Sequence, residues 1–440
     1  MRAATEVAFA NTLKNGVRHV TLSNETSTEG LGYNGRMRIY FSGIGGTGIG
    51  PLAEFAQDAG YEVFGSDLQR GAISEELDER QIEVAYGVQD GAFLQKKFDE
   101  GGVDWLVRTS ALPEDHPELL LAQKLNIHTS KRDEFIAEMI RQKNLKLIAV
   151  AGTHGKTTTT SMLIWAMLQL GVPVSYLVGS TLGWAKSGNY DAQSKYFIYE
   201  ADEYDRNFLA YHPYIAALTV VDYDHPDIYP TREDYNAAFA QFESQSESVV
   251  KNTTTDTRVT LVGELRRKDA SIALEVLRRV TNFSDDEILT ALNRFPGVGR
   301  RFEEITQGAY SDYGHHPREI KATVEMAREL KKRDNYAGIA VIYQPHQNTR
   351  QHEIRHLYHD AFMGVDKLFW LPTYLTRENP DLAILTPADF IAELDNREIA
   401  EAAELNETLA TEIKELRAHN YLIILITAGP ADSWFREIFQ

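Results

Sequence analysis

The sequence predicts an α/β protein of three domains, and two observations lead to this. Three series of short apolar strands alternate with helical segments along the 440 residues, beginning near residues 37, 146 and 299. Such alternation is typical of parallel doubly wound sheets, and the length suits about three domains. We therefore expect domains at 37–145, 146–298 and 299–440. Residues 1–36 are polar and irregular, and we expect an N-terminal arm there that need not be native.

Composition excludes several classes of protein. Hydrophobic residues make up 43% of the chain, enough for packed cores, and the net charge is −19. That charge opposes non-specific binding to nucleic acid or to a membrane surface. There is no cysteine, which excludes disulfides and thiolate metal sites. We expect a soluble cytoplasmic protein, monomeric or homodimeric, without a nucleic-acid or membrane partner.

The first series contains a glycine-rich turn. The stretch "RIYFSGIGG" indicates a strand that enters a turn with Gly43, Gly45 and Gly48 in G-x-G-x-x-G spacing, and a helix follows. Glycines let backbone N–H groups approach a diphosphate at a helix N-terminus. Asp67, at the end of the second strand, is placed to meet a ribose. Such turns also occur without ligands, and the spacing does not distinguish one diphosphate from another.

The second series begins with "KLIAVAGTHGKTTTT", a strand, a short phosphate-binding loop and a helix. Here we expect the backbone from Gly152 to Thr158 to surround phosphates, with Lys156 at the β- and γ-phosphates and Thr157 on Mg²⁺. The loop has two residues between its glycines instead of the usual four. His154 within it is, taken alone, more typical of a packing histidine.

Acidic residues follow the next strands of this series. "YEADEYDRNF" carries Glu200, Asp202, Glu203 and Asp205, and "VVDYDHPDIY" adds Asp224 and His225. Acidic runs are commonly solvated loops, but two of them at strand ends beside a phosphate loop favour a Mg²⁺ site. Residues 244–257 are predicted to be a loop or linker. Two helices are expected next, the second starting at Ser284 with a capping box to Glu287.

The third series includes "GVGRRFE", "AYSDYGHHP" and a helix expected from about Ile320 to Lys332. His315 and His316 would point to opposite faces if they lay on a strand, so zinc chelation by this pair is not expected. An arginine that reaches a phosphate and an aspartate near a ribose fit this region better.

Taken together, these motifs resemble the Mur ligases, the ATP-dependent amino-acid ligases of peptidoglycan synthesis. The resemblance runs from residue 37 to about 435 through "GIGGTGIG", "GSD", "TSALPEDHPEL", "GTHGKTTTT", "EADE", "DYDHPD", "GVGRRFE", "DYGHHP" and "QPHQNTR". It implies a Rossmann-like UDP-sugar-binding domain, a central P-loop ATPase-type domain and a Rossmann-like C-terminal domain. It also implies that L-alanine is joined to the carboxylate of UDP-N-acetylmuramate through an acyl phosphate, with ATP and Mg²⁺.

The resemblance assigns roles to individual positions. The catalytic residues would be Lys156, Glu200 and His225, and the Mg²⁺ ligands Thr157, Glu200 and His225. ATP would meet Gly152, Thr153, His154, Gly155, Lys156, Thr157, Thr158, Arg301 and Asp312. The UDP-sugar would meet Gly43, Gly45, Gly46, Gly48, Ser66, Asp67 and Ser110. The amino-acid side would be formed by His315, His316, His346 and Arg350.

The chain also departs from the family pattern. The central domain is shorter, "GELRRKDA" replaces the adenine-side G-x-H-N-x-x-N-A, Val220 replaces an asparagine and Gln347 replaces an arginine. Two alternatives to the L-alanine ligase therefore stay open. One is a recycling ligase that adds a tripeptide to the same sugar nucleotide. The other is a catalytically weakened protein that binds nucleotides or UDP-sugars.

Overall fold

The computed structural model describes residues 36–71, 73–109, 112–223, 225, 228–376 and 378–439. Within these residues the chain forms three sheets, of five, six and six strands. The expected N-terminal arm lies almost wholly outside the described residues. Across the described part, no helix combines the length and the apolar character needed to cross a membrane.

The first sheet is entirely parallel. Its strands are β1 (Arg38–Ser42), β2 (Glu62–Asp67), β3 (Glu83–Tyr86), β4 (Trp105–Arg108) and β5 (His128–Lys131). Its helices are α1 (Gly50–Asp58), α2 (Ser74–Glu79), α3 (Ala92–Gly101), α4 (Pro117–Lys124) and α5 (Arg132–Gln142). The strand order β3-β2-β1-β4-β5 reverses at β1, which places the glycine turn after β1 at a topological switch point.

The second sheet has the order β11-β10-β6-β9-β7-β8, and only its β7–β8 pair is antiparallel. The strands are β6 (Lys146–Ala151), β7 (Ser175–Leu177), β8 (Gly188–Asn189), β9 (Tyr196–Glu200), β10 (Ile215–Leu218) and β11 (Val249–Val250). The α-helices are α6 (Lys156–Gln169), α7 (Arg232–Ser244), α8 (Glu264–Val280) and α9 (Asp285–Asn293). A 3₁₀ helix spans Tyr204–Ala210.

The third sheet has the order β12-β13-β17-β14-β15-β16, with an antiparallel β12–β13 pair. Its strands are β12 (Glu303–Thr306), β13 (Ala309–Asp312), β14 (Gly338–Gln344), β15 (Lys367–Trp370), β16 (Ala400–Ala402) and β17 (Tyr421–Thr427). The α-helices are α10 (Pro317–Asp334), α11 (Asn348–Ile354), α12 (Pro387–Ile391), α13 (Glu407–Ala418) and α14 (Ala431–Ile438). Short 3₁₀ helices span Arg355–Leu357 and Arg397–Ile399.

One hydrophobic core is shared by the first two sheets. Phe55 of α1 lies edge-on to Phe197 of β9, with ring centroids 5.2 Å apart, and also contacts Tyr190. The same cluster of buried residues runs from Ile39 of β1 to Phe242 of α7. Because aromatic burial dominates core energetics, these two sheets stabilise each other directly.

The sequence predicted most elements, with two differences. The stretch 244–257 is not only a linker, because Val249 and Val250 form the edge strand β11 beside β10. Helix α10 begins at Pro317, three residues before the expected start. The capping box of Ser284 with Glu287 is confirmed, with the Glu287 N–H donating to the Ser284 hydroxyl.

Candidate nucleotide and ligation site

The phosphate loop joins β6 to α6 and depends on two glycines in the left-handed region. Gly152 has φ = 135° and Gly155 has φ = 90°. A Cβ atom at Gly152 would lie 2.2 Å from Thr219 Oγ1, and one at Gly155 would lie 2.5 Å from Asp269 Oδ1. Both positions therefore require glycine for conformation and for space. The first turn of α6 then presents its free N–H groups beyond the loop.

The loop is fixed by the segment that follows β10. The N–H groups of Thr153 and His154 both donate to the carbonyl of Val220, at 2.7 and 3.3 Å. The Thr153 hydroxyl donates to the carbonyl of Asp222 at 2.6 Å. His154 thus helps to hold the loop through its backbone. Val220 contributes only backbone atoms to these bonds.

Lys156 is the first residue of α6, and it forms an ion pair that was not predicted from the sequence. Its Nζ lies 2.7 Å from Glu203 Oε2 and donates to the Gly152 carbonyl at 2.6 Å. The Glu203 side chain is 1% exposed. A buried carboxylate is normally paired, and Lys156 is the cation that pairs it here.

Thr157 and Glu200, both predicted Mg²⁺ ligands, lie against each other. Its hydroxyl donates to Glu200 Oε2 at 2.8 Å, and the Gly179 N–H donates to Oε1 at 3.1 Å. Burial raises the pKa of Glu200, while these two donors act in the opposite direction. Within the described residues no group of three His, Cys, Asp or Glu side chains could hold a metal. Mg²⁺ commonly uses one or two protein oxygens plus phosphates and waters, so Thr157 and Glu200 fit it chemically.

His225, the third predicted Mg²⁺ ligand, lies near Glu203. Its Nε2 lies 3.9 Å from Glu203 Oε1, and its ring is edge-on to Tyr204 at 5.1 Å. The residue has φ = 56°, a left-handed conformation that is uncommon outside glycine but that histidine, like asparagine and aspartate, adopts more often than other residues. The geometry therefore groups His225 with Glu203 and Lys156, beside the Thr157–Glu200 pair.

A cavity of about 280 Å³ joins the phosphate loop to the third-sheet region. Thr153 to Thr158 line one side, and Arg301 and Asp312 line the other. The Asp312 carboxylate is buried, accepting from the N–H groups of Phe302 and Gly314, both at 2.8 Å. Burial raises its pKa, and Arg301 acts to lower it. The predicted nucleotide residues of two sheets thus meet in one space.

The adjacent histidines His315 and His316 lie at the start of a helix. The argument against zinc chelation that assumed a strand is therefore wrong in its premise. His316 is the N-cap of α10, and its Nδ1 accepts from the Arg318 N–H at 3.3 Å. Glu319 completes the capping box and also accepts from the His315 N–H at 3.0 Å. The helix start, not strand alternation, determines where the two rings lie.

His346 lies beside His315, with ring centroids 6.0 Å apart, and packs on Tyr374. Burial lowers the pKa of both imidazoles. Gln347 caps α11 with φ = 61°, and Arg350 lies in that helix. The structure therefore groups the predicted amino-acid-side residues at the C-terminal end of β14, outside the nucleotide cavity.

The glycine turn after β1 is fixed by β2. The N–H groups of Gly43 and Ile44 donate to the Ser66 carbonyl at 2.8 and 3.1 Å. The Gly45 N–H donates to Asp67 Oδ2 at 2.9 Å. Asp67 thus stabilises the turn. The sequence predicted only that it would lie near a ribose. Gly46 continues the turn, and Gly48 lies against Arg132 of α5.

Ser66 is engaged in a buried network. Its hydroxyl donates to Glu118 at 2.6 Å, as do Tyr40 and Ser42 at 2.5 Å each. Its predicted contact to a UDP-sugar is thus restricted to its backbone, because its side chain is 2% exposed and occupied. Ser110 lies outside the described residues.

Sequence reasoning missed three residues of the nucleotide site. Glu203 was one of four acids in a run, and nothing in the sequence selected it as the partner of Lys156. Arg266 and Asp269 of α8 line the cavity, but the sequence showed them only as departures from a motif. Gly155 and Asp269 both lie in segments that were compared with the family pattern, and this was the only sequence signal for their contact.

Two protein-family descriptions match this chain. Residues 38–144 match the Mur ligase family catalytic domain, and residues 150–275 match the Mur ligase middle domain. UDP-N-acetylmuramate–L-alanine ligase of Clostridium acetobutylicum is 31% identical over 396 residues, covering 78% of this chain and 84% of that protein. The protein of the same name from Syntrophomonas wolfei is 32% identical, covering 74% and 80%.

Solved structures share the fold. UDP-N-acetylmuramate-alanine ligase of Thermotoga maritima superimposes with a TM-score of 0.73 at 21% identity, covering 92% of this chain and 98% of that one. A murein peptide ligase of Psychrobacter arcticus gives a TM-score of 0.56 at 20% identity, with coverage of 92% and 98%. At these identities the structures establish a common architecture.

Proposed function

Because this chain belongs to the Mur ligase family, we propose that it joins L-alanine to the carboxylate of UDP-N-acetylmuramate with ATP. The observation that carries this is the cavity in which the phosphate loop, Arg301 and Asp312 meet. It is supported by relatives of that name whose similarity covers most of this chain. The domains would be 37–145 for the sugar nucleotide, 146–298 for ATP and 299–440 for closure of the site, with the reaction in the cytoplasm.

The first half-reaction brings two anions together. The muramoyl carboxylate attacks the γ-phosphorus of ATP, ADP leaves, and an acyl phosphate results. Lys156 would move from Glu203 to the phosphates and offset the repulsion there. Mg²⁺ held by Thr157 and Glu200 would supply further positive charge to the phosphates. Arg301 would face the nucleotide from the third-sheet side, and Asp312 would meet its ribose.

The second half-reaction needs a neutral amine. The amino group of L-alanine attacks the acyl carbon and phosphate leaves, so the ammonium form must first lose a proton. His315 and His346 are neutral at neutral pH because burial lowers their pKa, and either ring can accept that proton. Arg350 and His316 would bound the amino-acid side. The sugar nucleotide would lie at Gly43 to Gly48, with Asp67, Ser110 and the backbone of Ser66.

A phosphate-release assay tests this function. The protein would be given ATP, Mg²⁺ and UDP-N-acetylmuramate with L-alanine, with other amino acids, or with the L-alanyl-γ-D-glutamyl-diaminopimelate tripeptide. We expect release with L-alanine, and a product whose mass has increased by one alanine residue. Release only with the tripeptide would assign the recycling ligase. No release with any acceptor, together with measurable binding of UDP-N-acetylmuramate, would assign a protein that only binds nucleotides.

A further inference from the structure

The lining of the nucleotide cavity has two chemically different parts. The phosphate loop forms a polar part, with its N–H groups and Lys156. Leu265, Phe295 and Met326 form an apolar part, and a Cβ atom at Gly263 would lie 2.5 Å from the Met326 side chain. Apolar walls are typical of the part of a pocket that receives a flat base, and phosphates require the polar part. A bound nucleotide would therefore place its base beside Leu265, Phe295 and Met326.

A positively charged side chain lies beside this apolar part of the lining. Arg266, in the first turn of α8, is half-buried and lines the cavity, with its guanidinium carbon 5.9 Å from the Phe295 ring centroid. Among the described residues it makes no hydrogen bond or ion pair. Burial lowers the pKa of Arg266, while the nearby carboxylates of Asp269 and Asp312 act in the opposite direction. A guanidinium withdrawn from water without hydrogen-bond acceptors is costly.

The neighbours of Arg266 on α8 are engaged elsewhere. Asp269, one turn further along, has its carboxylate against Gly155 of the phosphate loop. Arg267 donates to the Leu261 carbonyl and to Glu329, and it does not line the cavity. Glu264 also lines the cavity but pairs with Lys268 at 2.7 Å. Among the described residues, Arg266 is therefore the charged side chain of this turn that lines the cavity without an ion pair, and the proposed reaction gives it no role.

We propose that Arg266 reads the nucleotide base, so that this site accepts 6-oxopurine nucleotides (guanine or hypoxanthine) at least as well as adenine nucleotides. Arginine has five N–H donors and no acceptor. Guanine and hypoxanthine present two neighbouring acceptors, N7 and O6, whereas adenine presents N7 beside the N6 amino donor. Two donors of Arg266 can therefore be satisfied by a 6-oxopurine and only one by adenine. The inference rests on the proposed function, because it requires that the cavity binds a nucleotide.

Calorimetric titration of the full chain with ADP, GDP and IDP in the presence of Mg²⁺ tests this. We expect GDP and IDP to bind at least as tightly as ADP. IDP lacks the 2-amino group of GDP, so tight IDP binding isolates the contribution of O6 and N7. Tighter binding of ADP than of both others would overturn the inference and leave the ligase function standing. If none of the three binds, the ligase function and this inference both fail.

Two variants sharpen the test. Arg266→Asn should reverse the preference, because an asparagine side chain pairs with N6 and N7 of adenine, and the GDP-to-ADP affinity ratio should fall roughly tenfold to hundredfold. Arg267→Asn removes a neighbouring guanidinium of α8 outside the cavity and should leave the ratio unchanged. An equal loss of all three affinities in Arg266→Asn would place Arg266 on the phosphates and overturn base reading. The wild-type ratio alone remains decisive if that variant does not fold.

Discussion

The turn at Gly43–Gly48 and the loop at Gly152–Gly155 both connect a buried parallel strand to the helix that follows it. In each sheet an acidic residue ends the neighbouring strand, Asp67 in β2 and Glu200 in β9. Asp67 bonds a backbone N–H of the turn itself, whereas Glu200 bonds the side chain of Thr157. The same strand–glycine–helix pattern therefore builds two different sites.

This difference shows that the neighbouring strand decides what a glycine turn can bind. In the first turn, the N–H groups of Gly43, Ile44 and Gly45 already donate to β2. A ligand can therefore bind only to the other N–H groups of the turn. In the second, Lys156 and Thr157 are paired with carboxylates that a phosphate or a metal can replace as partners. Exchangeable ionic partners suit phosphoryl transfer, and a fixed backbone cradle suits holding a sugar nucleotide.

The largest effect should come from Lys156→Ala, which removes the cation from the second turn only. We expect ligation to slow by a factor that corresponds to about 3 kcal/mol or more in barrier, because a positioned charge on the phosphates is lost. Affinity for UDP-N-acetylmuramate should be unchanged. Steady-state kinetics and titration calorimetry measure these. Lys146→Ala, an exposed lysine at the start of β6, is the control, and comparable rates for the two variants would remove Lys156 from the mechanism.

The next effect should come from Gly155→Ala, which tests whether the two turns depend equally on glycine. The added Cβ would lie 2.5 Å from Asp269 Oδ1 on a backbone with φ = 90°. A strained position of this kind costs about 1–3 kcal/mol, so the thermal midpoint and ADP affinity should both fall. In Gly46→Ala the Cβ would lie at an ordinary 3.5 Å from Gly43 O. Equal losses in both variants would contradict this account.

A smaller effect is expected from Glu200→Gln, which keeps the shape of the side chain and removes its charge. The Mg²⁺ concentration for half-maximal rate should rise about tenfold, equivalent to roughly 1.4 kcal/mol. Asp202→Asn changes an acid of the same run whose carboxylate caps the Tyr204 N–H, and it should leave the Mg²⁺ dependence intact. If Asp202→Asn raised the requirement and Glu200→Gln did not, the metal would have to be reassigned.

The smallest effect should come from Asp67→Asn in the first turn. The amide oxygen can still accept from the Gly45 N–H, so the fold should persist, with a charged hydrogen bond replaced by a neutral one. That exchange is worth about 1 kcal/mol, a few-fold loss of affinity for UDP-N-acetylmuramate. Calorimetry would show it, with ADP affinity as the internal control. A loss of ADP affinity as well would mean that the two turns are not independent.

The sequence predicted local features well and tertiary partners poorly. The capping box at Ser284 was correctly predicted because its signal lies within four residues. The start of α10 was placed at Ile320 because the sequence did not identify His316 as its cap. Glu203 was not predicted as the partner of Lys156, because the path of the chain after β9 determines which acidic residue faces Lys156. The interaction of Asp67 with Gly45 likewise depends on the β1–β2 register, in which Ser42 pairs with Ser66.

The core shared by the first two sheets also bears on how the chain can be divided. A fragment that ended at residue 145 would carry α1 with Phe55 deprived of Phe197 and Tyr190, its partners from the second sheet. Newly exposed aromatic surface of this kind favours aggregation. The boundary that is visible in the sequence is therefore a poor place to cut. Expression of residues 37–298 together would retain these contacts and give a piece suited to separate biophysical study.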